Sequence, residues 1–156
     1  MTAGGSSLPE VQRLLAVLAT GRRVAEIGTA FGEGAAAIAA TAHELVTVER
    51  DPERAAVARG RLAGLANVEL LVGDWRELLP PRAPFELVFL DGGRSKADPA
   101  ALGLVAPGGL LVMDDLTPDR PGPDRVRELW LSNPAVAAVE ILTTPATAAI
   151  VAARRP

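Results

Sequence analysis

The chain of 156 residues contains no cysteine. That excludes disulfides and thiolate metal sites. Aromatic residues make up only 3% of it, too few for the stacking platforms that hold single-stranded RNA or DNA. The single histidine, His43, precedes the second expected strand, away from any ligand edge. It reads as a surface or helix-end residue, not a catalyst. No uninterrupted apolar run approaches the ~20 residues of a membrane span, and the mean hydropathy is only +0.23. The opening MTAGGSSLPE lacks the basic and apolar regions of a signal peptide. A net charge of −3 gives no general attraction to nucleic acid. Together these absences point to a cytoplasmic location with neither membrane nor nucleic acid as partner.

What is present suits one compact domain. Hydrophobic residues make up 49% of the chain, enough for a full core. An N-terminal helix is expected within residues 1–21 and the core over 22–156. Leu8, Val11, Leu14, Leu15 and Leu18 recur with helical spacing, and Gly21 stops that helix. Strands are expected over 23–27, 45–49, 68–72, 85–90 and 110–113. Helices are expected over 33–42, from 52 to about 65, and over 99–105, with a short helical turn ending at Leu79. Asp51-Pro52-Glu53 reads as an N-cap followed by proline at the first helical position. A loop over 116–123 precedes a helix over 124–131. Strands over 136–142 and 147–153 form an antiparallel hairpin. This alternation implies an α/β, doubly wound, mostly parallel sheet with helices on both faces. Ligands of such sheets bind at the carboxyl ends of the strands.

The most informative segment is EIGTAFGEG, from Glu26 to Gly34. An apolar strand ends in a carboxylate and a glycine-rich turn, and a small-residue helix follows. Gly28, Gly32 and Gly34 allow a sharp turn and a close backbone approach to a ligand. The spacing is G-x-x-x-G-x-G, not the G-x-G-x-x-G of a pyrophosphate-binding loop. The acid Glu26, two residues before the first glycine, suits a ligand with an ammonium group. This segment resembles motif I of the class I S-adenosylmethionine (SAM)-dependent methyltransferases, and within them the catechol O-methyltransferase-like group. The resemblance implies a seven-stranded Rossmann-like sheet with a reversed last strand. It also implies SAM as cofactor, with Glu26, Gly28, Thr29, Gly32 and Gly34 around it.

Further residues agree with an adenosyl ligand. Glu49 ends the second strand and lies 21 residues after Gly28, close to the ~20 expected for an acid that binds ribose hydroxyls. A solvated acid at a strand end is the plainer alternative. Arg50 follows it. Gly73-Asp74-Trp75 resembles the family's segment beside the adenine; Asp74 as a helix N-cap and Trp75 as a partly buried side chain are equally consistent.

Asp91 ends the fourth strand, and Asp114 and Asp115 end the fifth. Converging like charges raise one another's pKa, and a hard divalent cation relieves this with oxygen ligands. FLDGGRSK and GGLLVMDDL resemble the metal-binding segments of the catechol-type group, which implies Asp91, Asp114 and Asp115 as ligands of Mg2+ or another divalent cation. The family has Asn where this chain has Asp115. Otherwise Asp91 faces SAM or substrate and Asp115 caps a turn. The family's catalytic lysine falls at Arg94, a poor base because it stays protonated. Lys96, two residues on in a glycine-loosened loop, is the substitute. Asp91, Arg94 and Lys96 are therefore the candidate catalytic residues.

The expected activity is SAM-dependent O-methylation of a small hydroxylated acceptor, phenolic or catechol-like. A metal-independent methyltransferase, a SAM-binding module completed by a partner, and an NAD-binding Rossmann protein are the alternatives. A homodimer is left open.

Overall fold

A computed structural model describes residues 7–156. The part of the N-terminal segment before Ser7 lies outside the described residues. The elements in chain order are α1 (Pro9–Ala19), β1 (Arg23–Ile27), α2 (Glu33–Ala39), β2 (Glu44–Glu49), α3 (Pro52–Arg61), β3 (Val68–Val72), α4 (Trp75–Leu78), β4 (Phe85–Leu90), β5 (Val105–Leu116), α5 (Arg125–Leu131), β6 (Val136–Thr144) and β7 (Thr147–Arg154). Short 3-10 turns cover Pro80–Arg82, Gly93–Ala97 and Pro99–Leu104.

The seven strands form one sheet in the order β3-β2-β1-β4-β5-β7-β6. Strands β1 to β5 pair in parallel, and β7 runs antiparallel to both β5 and β6. The strand order reverses between β1 and β4. At that switch the loops leaving two adjacent strands part and open a crevice.

Alternation along each strand divides the core into two layers. Val24, Leu45, Leu87, Phe89 and Val112 face one side, against Val11, Leu15, Ala35, Ile38, Ala58 and Leu62 of α1, α2, α3 and the α3 C-cap. Ala25, Val46, Val88, Leu90 and Met113 face the other, against Trp75, Leu79, Leu104 and Trp130. Each such fully buried large side chain contributes about 1.5–3 kcal/mol relative to exposure. Sheet burial on both faces explains why β1, β2 and β4 read as apolar runs without polar alternation.

Several element ends differ from the sequence expectation. Helix α2 stops at Ala39, three residues early, and α3 stops at Arg61 with Leu62 as its C-cap. Gly64 then adopts φ +84°, which ends the helical path. Strand β5 is longer than expected, because Val105 already pairs with Phe85 and Leu116 with Ala148. Pro107-Gly108-Gly109, which reads locally as a turn, is looped out as a bulge between the Phe85–Val105 and Leu87–Leu110 pairs, with Gly108 at φ +77°. The Asp51 cap forms as expected, accepting from the backbone N–H of Glu53 at 2.8 Å and of Arg54 at 3.4 Å.

Candidate active site

A cavity of about 640 Å3 opens at the carboxyl ends of the parallel strands, within the usual size range of small-molecule sites. One half is walled by the loops after β1, β2 and β3, the other by those after β4 and β5.

In the first half, Gly28 has φ +97°. Its N–H and that of Thr29 both donate to the carbonyl of Val48, at 2.9 and 3.2 Å. A Cβ on Gly28 would lie 2.6 Å from the Gly92 nitrogen, so the β1 and β4 loops touch backbone to backbone. At the other two glycines, too, the space a Cβ would take is held by protein. A Cβ at Gly32, φ +88°, would lie 3.3 Å from Ala58 on α3. One at Gly34 would lie 3.0 Å from Glu26 Oε1 and 3.2 Å from Ser7 Oγ. Of the three, Gly28 alone lines the cavity.

Glu26 is also turned inward. It is 1% exposed and does not line the cavity. Its Oε2 accepts from Thr47 Oγ1 at 2.6 Å, and the hydroxyls of Thr29 and Thr47 are 2.6 Å apart. Oε1 has no partner among the described residues. Burial pushes the Glu26 carboxyl up to about 8; the Thr47 bond opposes this, while Asp91, Asp114 and Glu49 reinforce it. The ammonium-binding part expected of Glu26 therefore has no direct geometry here, and Thr29 serves the same buried chain.

Glu49 occupies the position its spacing predicts. It is 7% exposed and lines the cavity. Its Oε2 accepts from the Ala30 N–H at 2.8 Å and its Oε1 from the Asp51 N–H at 2.9 Å. The carboxylate is thus fixed by two backbone donors, and each oxygen retains capacity for a ligand hydroxyl. Arg50 and Arg54 stand beside it on the wall. After β3, Gly73, Asp74 and Trp75 all line the cavity. Asp74 also caps α4, accepting from the Arg76 N–H at 2.9 Å. Trp75 is largely core, and the Arg76 guanidinium lies 4.9 Å from its ring. Arg76 and Arg54 were missed in the sequence; the former follows Trp75 directly and the latter sits one turn into the helix after Glu49.

In the second half, Asp91, Asp114 and Asp115 bring carboxylate oxygens within 4.8 Å of one another. Adjacent residues of an extended strand would point to opposite faces. The chain resolves this with a bulge: Met113 pairs with Ile150 and Leu116 with Ala148, leaving two residues opposite one. Asp115 takes φ +57°, a left-handed conformation that Asp tolerates. Burial, then the charge of Asp114, pushes Asp91 up to about 7. Burial also raises Asp114, against the pull of Lys96. The Oδ2 atom of Asp114 is buried with no partner among the described residues.

Lys96 is not on a loosened loop. Residues Gly93–Ala97 form a 3-10 turn, and the fully buried Trp130 donates its indole N–H to the Lys96 carbonyl at 2.7 Å. The ammonium donates to the Asp114 carbonyl at 2.7 Å and lies 3.3 Å from Asp114 Oδ1. Lys96 does not line the cavity; Arg94 does. His43 is exposed at the amino end of β2, away from the site.

Residues 25–116 match the family model described as a methyltransferase domain. The chain belongs to that family. A protein-L-isoaspartate O-methyltransferase of Anaeromyxobacter dehalogenans is 41% identical over 96 residues, 60% of this chain and 46% of that protein. The Koribacter versatilis protein of the same name is 34% identical over 113 residues, 70% of this chain and 51% of the relative. This methyltransferase-family chain thus spans about half the length of these curated relatives. Among solved structures, cofactor-bound Rv0187 from MTB is similar with a TM-score of 0.80 and 27% identity, over 97% of this chain and 83% of that one. The O-methyltransferase TomG from Streptomyces achromogenes, solved in complex with SAM, is similar with a TM-score of 0.73 and 28% identity, over 100% and 84%. The relatives' names do not single out the catechol-type group. Among the described residues no helix is long and apolar enough to cross a membrane.

Proposed function

We propose that this chain binds SAM over β1, β2 and β3 and methylates a hydroxyl oxygen of a small phenolic or catechol-like acceptor held over β4 and β5. The observation that carries the reading is the meeting, in one cavity, of a strand-end acid on the adenosyl side with Asp91 and Asp115 on the other, the buried Asp114 lying behind them with a carboxylate oxygen within 4.8 Å of theirs. Glu49, already fixed by two N–H donors, accepts from the ribose hydroxyls. Gly28 brings backbone to the cavity wall, and Asp74 and Trp75 flank the adenine.

The donor set on the acceptor side fits a hard divalent cation. All three ligands are oxygens, Asp91 and Asp114 are held above their ordinary pKa, and Asp114 Oδ2 is buried without a partner. Asp91, Asp114 and Asp115 would hold Mg2+, Mn2+ or Ca2+. Such an ion lowers the pKa of a bound hydroxyl and fixes its oxygen. Lys96 offsets one of the three negative charges and keeps Asp114 in place. A guanidinium such as that of Arg94 is a poor base and the Lys96 ammonium is engaged with Asp114, so a carboxylate receives the acceptor's proton. Asp91, lifted to about 7, is suited to that task, and this favours a metal-independent second reading.

Calorimetric titration with S-adenosylhomocysteine (SAH) and with NAD tests the cofactor; tighter binding of NAD would refute it. Methyl transfer to catechol is then compared in Mg2+ and in EDTA. Activity that survives EDTA and Asp114→Ala selects the metal-independent reading. Transfer to an isoaspartyl peptide but to no phenol would move the acceptor to the class named for the curated relatives.

A further inference from the structure

Four arginines line the cavity, and three belong to its adenosyl half: Arg50 and Arg54 follow β2, and Arg76 follows β3. Arg76 pairs with Asp98 and Asp74, and Arg54 lies 3.7 Å from Asp51. Arg94 is the fourth. It stands in the loop after β4, three residues past Asp91, and lines the cavity together with Asp91, Asp115 and Thr147. Among the described residues Arg50 and Arg94 take part in no ion pair, and of the two Arg94 alone belongs to the acceptor half.

Its backbone is nevertheless firmly seated. Ser95 donates its N–H to the Gly92 carbonyl at 2.8 Å, and Ser95 and Lys96 are buried. Trp130 holds the Lys96 carbonyl from the core. The guanidinium is therefore an exposed cation on an anchored turn. Gly92 and Gly93 put no side chain between it and Asp91, and a Cβ at Gly93 would meet nothing within 4 Å.

Charge bookkeeping says what Arg94 faces. Asp91, Asp114 and Asp115 carry three negative charges when ionised, and Lys96 offsets one. A divalent cation offsets the other two. Arg94 is then the uncompensated charge of the acceptor half. A planar guanidinium with parallel N–H donors matches a carboxylate in bidentate fashion.

Resting on the methyltransferase reading above, we infer that the acceptor is an anionic hydroxy compound, a phenolic or catecholic acid whose carboxylate pairs with Arg94 while its hydroxyl faces the Asp91 and Asp115 side of the aspartate cluster. Arg94 selects the acceptor and takes no proton.

The test uses the full chain with Mg2+ and saturating SAH, and two probes. One is protocatechuate, a catechol bearing a ring carboxylate; the other is its alcohol analogue, with a hydroxymethyl group in place of the carboxylate. SAH binding is titrated first on every variant, and circular dichroism confirms folding. In the wild type the acid is expected to bind about tenfold tighter than the alcohol, the scale of a charge-assisted bidentate pair. In Arg94→Gln the ratio falls to about one, and Arg94→Lys keeps part of it. Equal binding of the two probes, no binding of the acid, or a preference that survives Arg94→Gln overturns the inference while SAH binding leaves the methyltransferase reading intact. Absence of SAH binding overturns both.

Discussion

The two halves of the cavity are built by opposite means. The wall after β1 and β2 is made of satisfied backbone. Gly28 and Thr29 share one carbonyl, and Glu49 takes one N–H on each oxygen. The wall after β4 and β5 is made of unsettled charge. Behind it Asp114 Oδ2 has no partner among the described residues, Asp91 on it is raised to about 7, and Arg94 is in none of their ion pairs. A self-satisfied wall is preorganised for a ligand that differs little from one turnover to the next. An unsatisfied wall is completed by what binds to it. Substitutions should therefore unfold the first half and retune the second.

Gly28→Ala is the largest expected break. The new Cβ meets Gly92 backbone at 2.6 Å and must hold φ +97°. Strain and overpacking together cost on the order of 3–5 kcal/mol. Gly93→Ala, in the other wall, meets nothing within 4 Å and should stay within about 0.5 kcal/mol. Urea denaturation measures both. A Gly28→Ala protein of normal stability that has lost SAH binding would mean this glycine serves the ligand and not the loop contact.

The buried carboxyl behind the first wall comes next. Between its ordinary 4.5 and about 8, Glu26 holds its proton in the folded state and releases it in the unfolded one. Folding stability therefore falls as pH rises through that window. Glu26→Gln keeps an oxygen for Thr47 and removes the titration. It should recover roughly 2–4 kcal/mol at pH 8 relative to wild type and little at pH 5. The same pH slope in both proteins would show that Glu26 does not titrate there.

Glu49→Ala is expected to weaken SAH binding by about 1.5–3 kcal/mol, the scale of hydrogen bonds to a charged group. It also strips the N–H groups of Ala30 and Asp51, so some stability goes with it. Glu49→Gln separates the two effects, since one oxygen remains. If SAH affinity is unchanged in both variants, the ribose is held elsewhere.

Residue patterns disclosed most of the fold and half of the site. Strands β1 to β4 and the final hairpin were legible because apolar runs and turn residues agree locally with the global sheet. Glu49 was legible from its distance to Gly28, and the convergence of Asp91 with Asp114 from strand adjacency. The part played by Gly32 was not, because what it avoids, Ala58, is on another helix. Lys96 was misplaced for the same reason: the indole that pins its turn is 34 residues away. The length of β5 was hidden by Pro107-Gly108-Gly109, whose local turn preference survives as a bulge while Val105 before it pairs with Phe85. In each case the deciding contact is distant in sequence.

The smallest expected effect is the sharpest test of the second wall. Asp115→Asn keeps an oxygen ligand and suits φ +57°, since asparagine enters the left-handed region as readily as aspartate. Asp115 is exposed, so stability in metal-free buffer should change by less than about 0.5 kcal/mol. Only cation binding should respond. Wild type is expected to gain thermal stability as Mg2+ is added, by about 2.7 kcal/mol at a hundredfold excess over its Kd. Removal of one negative ligand charge shifts that titration to higher Mg2+, while Asp114→Asn abolishes it. Superimposable Mg2+ titrations for wild type, Asp115→Asn and Asp114→Asn would mean that the three carboxylates hold no ion. The bulge would then serve to aim Asp115 at the acceptor itself, and the charge left on that wall would be Asp91's to manage as base.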